Sequence, residues 1–306
     1  MLVFVAKRLL ELLPVLLGVL LITFGVTRFT PGDPAILLAG EDADEALIEA
    51  TRQRLGLDQP VPVQFVRYLG RAVQGDLGVS YDRGVEVSSL IGRALVPTGQ
   101  LAVVAMLFTV LVGIPLGVIS AIYRDTWLDA VARVVSLIGV SIPSFFFGLL
   151  MILLFSLVLG WLPSFGRGTW RHLIMPGITL GLFSTGLVAR LTRASMLDVL
   201  NQDYIRTARA KGLKNMTVIY KHGLRNAAIA IVTILGLNLG NLLSGSVLTE
   251  VVFAYPGLGR LLVDAIFNRD YATVQGAILV VAIIYVGVNL LVDLMYAVVD
   301  PRIRYS

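Results

Sequence analysis

The chain has 306 residues, 57% of them hydrophobic and only 15% charged, with a mean hydropathy of +0.84, so lipid rather than water must solvate most of it. The absence of Cys excludes a disulfide framework and a thiolate metal site, and His172 and His222 alone are too few ligands for a His-based centre. The net charge of +5 is dispersed at the ends of apolar segments without interleaved aromatics, which argues for membrane topology and against nucleic acid.

The first element runs from Lys7 and Arg8 through an apolar stretch ending near Phe29. It lacks a small-residue cleavage site before it ends and reads as a retained first span. About twenty apolar residues cross the hydrocarbon core as a helix. By that measure six segments qualify, namely Leu9 to Phe29, Gln100 to Tyr123, Val131 to Gly160, Pro176 to Ser195, Ala227 to Phe253 and Thr273 to Val299.

Between the first two spans lies a long polar segment, Thr30 to Thr98, which opens on the turn Pro31-Gly-Asp-Pro34. Within it, Glu41 to Leu55 reads as a helix with acidic residues early, Arg52 and Arg54 late and Gly56 as its stop, the charge order that the helix dipole favours. Val63 to Gln74 reads as a second amphipathic helix ending at Gly75. This region is either a polar cap over the first two spans or a docking surface for an external partner.

In the third span, Gly139, Ser141 and Pro143 predict a kink and close packing. A membrane-embedded hydrolase built on Ser141 would need a base at the same depth, and both histidines fall outside the spans. Arg133, Arg190, Glu250 and Asp293 fall in the outer thirds of spans, where snorkelling relieves their charge. Gly177 and Gly181 form a packing stripe in the fourth span, and Gly236, Gly240 and Ser244 form one in the fifth. Beside the latter, Asn238, Asn241 and Gly245 make a polar and small face that either packs against other helices or lines a hydrated path.

Lys7, Lys211, Lys214 and Lys221 are all the lysines of the chain. With Arg8, Arg124, Arg302 and Arg304 they place both termini and the segment 196–226 in the cytoplasm. The arginines of Thr30 to Thr98 carry little weight, because the rule fades in loops longer than about 60 residues. Trp127, Trp161 and Trp170 lie near span ends, as amphipathic rings at headgroup level do.

Gln202 to Leu213 reads as a short helix, free of Pro and stopped at Gly212. Its small, apolar positions around Ala208, flanked by Arg206 and Arg209, suit either docking in another protein's groove or an amphipathic helix on anionic lipid. No Gly-x-x-x-x-Gly-Lys-Ser/Thr phosphate loop exists, so any nucleotide must be bound by another chain.

Tyr204-Ile-Arg-Thr-Ala-Arg-Ala-Lys-Gly212 resembles the cytoplasmic loop of the inner-membrane permease subunits of binding-protein-dependent ABC importers, in the dipeptide, oligopeptide and nickel branch. The general family pattern of Glu-Ala-Ala, three residues and Gly falls on Arg206, Thr207, Ala208 and Gly212, with Arg206 and Thr207 as departures. Phe29 to Ala35, Tyr255 to Leu262, Asn268 to Tyr271 and Asp300 to Tyr305 also resemble hallmarks of that branch's first permease. Leu159 to Pro163 and His222 to Ala227 are similar to the glutathione-type members.

The resemblance implies an all-α membrane protein with the type I importer permease fold of six transmembrane helices and a helical outer insertion. The chain then divides into 1–29 (N-terminus and span 1), 30–98 (extracytoplasmic insertion), 99–299 (spans 2 to 6 with the coupling segment 196–226) and 300–306 (cytoplasmic C-terminus). It further implies import of a peptide-like solute, such as a dipeptide, oligopeptide or glutathione, across a bacterial inner membrane by ATP-driven alternating access. The expected partners are a second homologous permease, two cytoplasmic ATPase subunits or domains that carry ATP and Mg, and an external solute-binding protein. No cofactor is expected on this chain. The ATPase-coupling residues would be Tyr204, Arg206, Thr207, Ala208, Arg209, Lys211, Gly212 and Leu213, and Asn238, Asn241 and Gly245 would be candidates for the path. A stand-alone secondary transporter or channel is the alternative.

Overall fold

The computed structural model describes residues 2–29, 34–40 and 43–299. The expected turn at Pro31, Glu41 and the C-terminal Asp300 to Tyr305 lie outside the described residues, as do the side chains of Lys7, Arg8, Ser244, Gly245 and Asp293. The regular secondary structure of the described residues is helical apart from one isolated antiparallel bridge, Val79 to Glu86, and the connecting stretches, such as 159–170, are turns and irregular backbone. The helices begin with α1 (Leu2–Phe29), α2 (Pro34–Ala39), α3 (Glu45–Leu55) and α4 (Val61–Val73). They continue with α5 (Val87–Phe108), α6 (Ile114–Ile122), α7 (Trp127–Ser141), α8 (Ser144–Met151) and α9 (Arg171–Leu200). The last five are α10 (Asp203–Ala210), α11 (Asn215–Thr217), α12 (Arg225–Val252), α13 (Leu258–Phe267) and α14 (Tyr271–Val299). Wider π-helical turns fill Thr109–Gly113, Ile152–Val158 and Val218–Leu224.

Among the described residues, four helical stretches are long and apolar enough to cross a membrane: Val87–Ile122, Arg171–Leu200, Asn215–Leu243 and Tyr271–Val292. The third span expected from the sequence is not one straight helix. It is the pair α7 and Ser144–Val158, bent by 106°, and counts as a fifth crossing if the pair is one broken span. The bend sits at Ile142 and Pro143. Pro143 brings no N–H, and the residue before a proline is pushed out of the α region; Ile142 accordingly adopts φ −82°, ψ 125°. In α1 the described apolar part is the shorter Leu13–Val26. The helix carrying the second apolar run starts at Val87, well before the expected Gln100.

The chain forms two compact units, Met1–Pro97 with Pro256–Val286 and Thr98–Tyr255 with Gly287–Ser306. In the first, α3 begins at Glu45 rather than Glu41, because the Asp44 carboxylate accepts the Leu47 N–H at 2.9 Å as an N-cap. It ends where the sequence predicts. Gly56 has φ 68°, the Gly56 N–H reaches Gln53 and the Leu57 N–H reaches Arg52, a Schellman closure that needs a left-handed residue. Gln64 of α4 donates to the Leu57 and Gln59 carbonyls at 3.2 and 2.7 Å and so ties the two helices together.

The core of this unit packs Val87, Ile91 and Ala94 of α5 against Leu258 and Leu261 of α13 and Ala272 and Ala277 of α14. Asp270, 2% exposed, fastens the polar segment to α14. Its carboxylate accepts the Tyr81 N–H at 3.0 Å, the Thr273 N–H at 3.3 Å, and the Ser80 and Thr273 hydroxyls at 2.5 and 2.6 Å. Asp270→Ala removes a helix cap and orphans buried donors, so we expect a loss of about 1–3 kcal/mol. Thermal unfolding of the detergent-solubilised protein checks this; a variant as stable as the parent would show that the clamp is not a fastening.

In the second unit α9 is the hub. A Cβ on Gly177 or Gly181 would collide with Val104 or the Ala105 carbonyl of α5, one on Gly186 with the Ser136 carbonyl of α7, and one on Gly117 of α6 with Ala189 and Thr192 of α9. Small residues thus let backbones approach where lipid provides no hydrophobic drive for helix association. Around these contacts Leu101, Ala105, Met151, Met175, Leu180, Leu242, Phe253 and Tyr255 form one core cluster. Large apolar side chains such as Leu107, Leu111, Leu153 and Leu157 face outward, as a lipid-solvated surface requires.

Candidate coupling site and span interior

The sequence between α9 and α12 folds into α10, a short turn, α11 and the π-helical turn Val218–Leu224. Gln202 enters in extended conformation, and Asp203 supplies an acid to the first turn, the placement the helix dipole favours. The end repeats the device seen at Gly56. Gly212 has φ 73°, its N–H reaches Arg209 at 2.9 Å, and the Leu213 N–H reaches Ala208 at 3.4 Å. This is again a Schellman closure, and Gly212 is its left-handed residue.

One face of α10 is buried and the rest is free. Ile205 (0% exposed) and Ala208 (7%) pack on Val218 and Leu200 of the same chain. Ala208, which the sequence offered as a point of close approach for another protein, packs here within its own chain and seats the helix. The outward surface is Tyr204, Arg206, Thr207, Arg209, Lys211, Gly212 and Leu213. Among the described residues Arg206 makes only a long 3.5 Å contact with Asp203, and the Thr207 hydroxyl returns to the Asp203 carbonyl at 3.1 Å. The result is a cationic face that also carries the apolar Tyr204, Ala210 and Leu213, on a short helix whose own underside is already packed.

The three path candidates separate. Asn238, 1% exposed, accepts from the Ser184 hydroxyl of α9 at 3.3 Å and donates to the Ile234 carbonyl at 2.9 Å, so it serves interhelical packing. Asn241 is exposed on the chain's surface. Gly245 is helical in backbone, but its surroundings lie outside the described residues. Gly236 meets Val292 of α14, which accounts for the small-residue stripe at that point.

Two buried charges behave differently from the sequence expectation or were missed by it. Glu250 does not snorkel: it is 0% exposed and accepts the Thr98 hydroxyl at 2.7 Å. Asp129, also 0% exposed, accepts from the Ser120 hydroxyl at 2.5 Å, from Arg193 Nε and Nη2 both at 2.9 Å, and from the Asp125 N–H at 3.1 Å. Arg133 stands 3.5 Å from the same carboxylate. The i,i+4 spacing of Asp129 and Arg133 is visible in the sequence, whereas Arg193 lies 64 residues away and no local signal connects it. Ser141 is the exposed last residue of α7 at the bend.

The family described as "Binding-protein-dependent transport system inner membrane component" matches residues 113–305, and the one described as "Binding-prot-dependent transport system membrane comp, N-term" matches residues 1–98. The chain is 47% identical over 306 residues, all of both chains, to the glutathione transport system permease protein GsiC of Escherichia coli (strain K12). It is equally similar to that of Pectobacterium atrosepticum and 46% identical to that of Salmonella paratyphi A, again over full length. Among solved structures, an inward-facing MetNI methionine ABC transporter matches with a TM-score of 0.59 at 23% identity, covering 69% of this chain and 96% of that one. An amino acid ABC transporter matches at 0.55 and 17%, covering 68% and 93%. These two likenesses show the fold of type I importer permeases in the larger part of the chain. The chain thus belongs to the family of inner-membrane components of binding-protein-dependent transport systems and is a multi-pass permease subunit of an ABC importer, a transport component and not a catalyst.

Proposed function

We propose that this permease imports glutathione or a closely related peptide-like solute, with the exposed face of α10 as its contact with a cytoplasmic ATPase. Full-length 47% identity to permeases named for glutathione transport supports the solute. The observation that carries the coupling assignment is the division of α10 into a buried face, Ile205 and Ala208, and an outward cationic face closed by Gly212. A helix held this way moves with Leu200 and Val218, so force applied to its outer face passes into the ends of α9 and α12.

In this reading the bent pair α7–α8 and the helix α1 complete six spans, with both termini and 196–226 in the cytoplasm and 30–98 outside. A second homologous permease, two ATPase subunits or domains holding ATP and Mg, and an external solute-binding protein complete the transporter. Asn241 and Gly245 remain the path candidates. ATP-driven closure of the ATPase pair would rock the spans between inward and outward access.

The test is ATP-dependent uptake of glutathione by the full complex in vesicles. Charge reversal at exposed positions, Arg206→Glu with Arg209→Glu, is expected to lower uptake about tenfold or more while leaving insertion and thermal stability unchanged. Unchanged uptake would remove α10 as the contact. Robust dipeptide uptake with none for glutathione would overturn the solute.

A further inference from the structure

Within the first unit, a cavity of about 460 Å³ opens between α1, the α3–α4 pair and the start of α14. Three guanidinium groups line it, those of Arg54, Arg67 and Arg71, against one carboxylate, Asp76. That carboxylate is already committed: it accepts Arg71 Nε at 2.8 Å and the Gly78 N–H at 2.9 Å, and these bonds hold it below the usual carboxylate range. Arg67 reaches only the neutral Gln59 amide oxygen at 2.8 Å, and Arg54 has no acidic partner among the described residues. The wall therefore carries uncompensated positive charge.

A second observation concerns the same wall. Tyr271 lines the cavity, is 8% exposed, and its buried hydroxyl has no hydrogen-bond partner among the described residues. A buried orphan donor costs about 1–3 kcal/mol unless something satisfies it. Nearby, burial pushes the Tyr68 phenol up to about 12, so it stays a neutral hydroxyl. The remaining wall mixes Gln64, Gln275 and Tyr81 with apolar side chains, among them Phe24, which belongs to the apolar stretch of α1 and stacks on Tyr68 with ring centroids 6.0 Å apart.

We propose that this cavity binds a phosphate group with an apolar neighbour, held by Arg54 and Arg67 and capped by the Tyr271 hydroxyl. Several donors converging from different elements suit the multiple oxygens of a tetrahedral oxyanion, and guanidinium is the cation best matched to it. The position at the end of an apolar helix is where headgroup phosphates lie. The plain alternative, that Arg54 and Arg67, whose guanidinium lies against Gly56, serve the C-terminal dipole of α3, does not account for the Tyr271 hydroxyl, which has no hydrogen-bond partner among the described residues.

The test uses the full chain in detergent, with binding followed by native mass spectrometry and thermal shift. The probes are phosphatidylglycerol, glycerol 3-phosphate and reduced glutathione. Saturable binding of phosphatidylglycerol weakened about tenfold or more by Arg54→Gln with Arg67→Gln supports the site. Arg54→Lys with Arg67→Lys, which keeps the charge, should weaken it less, and Tyr271→Phe should weaken it without lowering thermal stability. Binding of phosphatidylglycerol alone identifies a lipid headgroup as the source, and binding of glycerol 3-phosphate as well identifies a free phosphate ester as sufficient. Unchanged phosphatidylglycerol affinity in the folded double Gln variant overturns the proposal. So does glutathione displacing both phosphate probes, which would assign the cavity to a carboxylate solute instead.

Discussion

Arg193→Leu is expected to destabilise the protein by about 3–5 kcal/mol, the cost of leaving a buried charge without its partner. Asp129 is fully buried, whereas the Arg193 side chain is 23% exposed, so the carboxylate is the member that cannot recover by reaching water. The pair also fastens three helices. Ser120 comes from α6, Asp129 from α7 and Arg193 from α9, and Asp129 joins all three. Because bidentate guanidinium geometry fixes orientation as well as distance, Arg193→Lys should recover only part of the loss. Asp129→Leu with Arg193→Leu should lie closer to the parent than Arg193→Leu alone, since an apolar pair leaves no orphaned charge. Thermal unfolding in detergent at one scan rate measures the series. Additive losses in the double variant would show that the two side chains do not act as a pair.

Ala208→Asp is expected to abolish ATP-dependent uptake, and to do so by unseating α10 rather than by spoiling its outer face. Ala208 packs with Ile205 and Val218, so a carboxylate there would lose water without gaining a partner. Proteolytic nicking or faster hydrogen exchange confined to 203–213 would register the release, with the spans intact. Arg209→Glu makes the contrast. Arg209 is exposed, so this change should reduce uptake with the segment still protected. If Ala208→Asp left both protection and uptake unchanged, the packed underside of α10 would not be holding the helix.

Ala208 and Arg209 mark the boundary between what local sequence determines and what packing decides. The short helix, its stop at Gly212, the Gly56 stop and the charge order of α3 follow from local chemistry and are legible as pattern. So are the apolar runs and the Pro143 bend, though the sequence does not show that the bend reaches 106°. Which side of α10 faces the chain is not legible there. Ala208 and Arg209 are neighbours, and only the position of Val218 decides which of them is covered. Glu250 illustrates the same point: its place near the end of an apolar run predicts snorkelling, yet Thr98, 152 residues away, meets it in the interior.

Composition, hydrophobic period and turn chemistry, all local quantities, determined that this is a helical membrane protein, where its long helices lie and where the basic segment starts and stops. The tertiary structure alone decided which polar groups are satisfied inside the chain. It paired Asp129 with Arg193 and Asn238 with Ser184, and it turned Ala208 inward. It also left the Tyr271 hydroxyl without a hydrogen-bond partner among the described residues, in a residue that lines the same cavity as three arginines. The physical reason is that burial and hydrogen-bond satisfaction depend on residues brought together from distant parts of the chain, whereas the polarity of one helix face is the same on paper whether lipid, another helix or a ligand covers it.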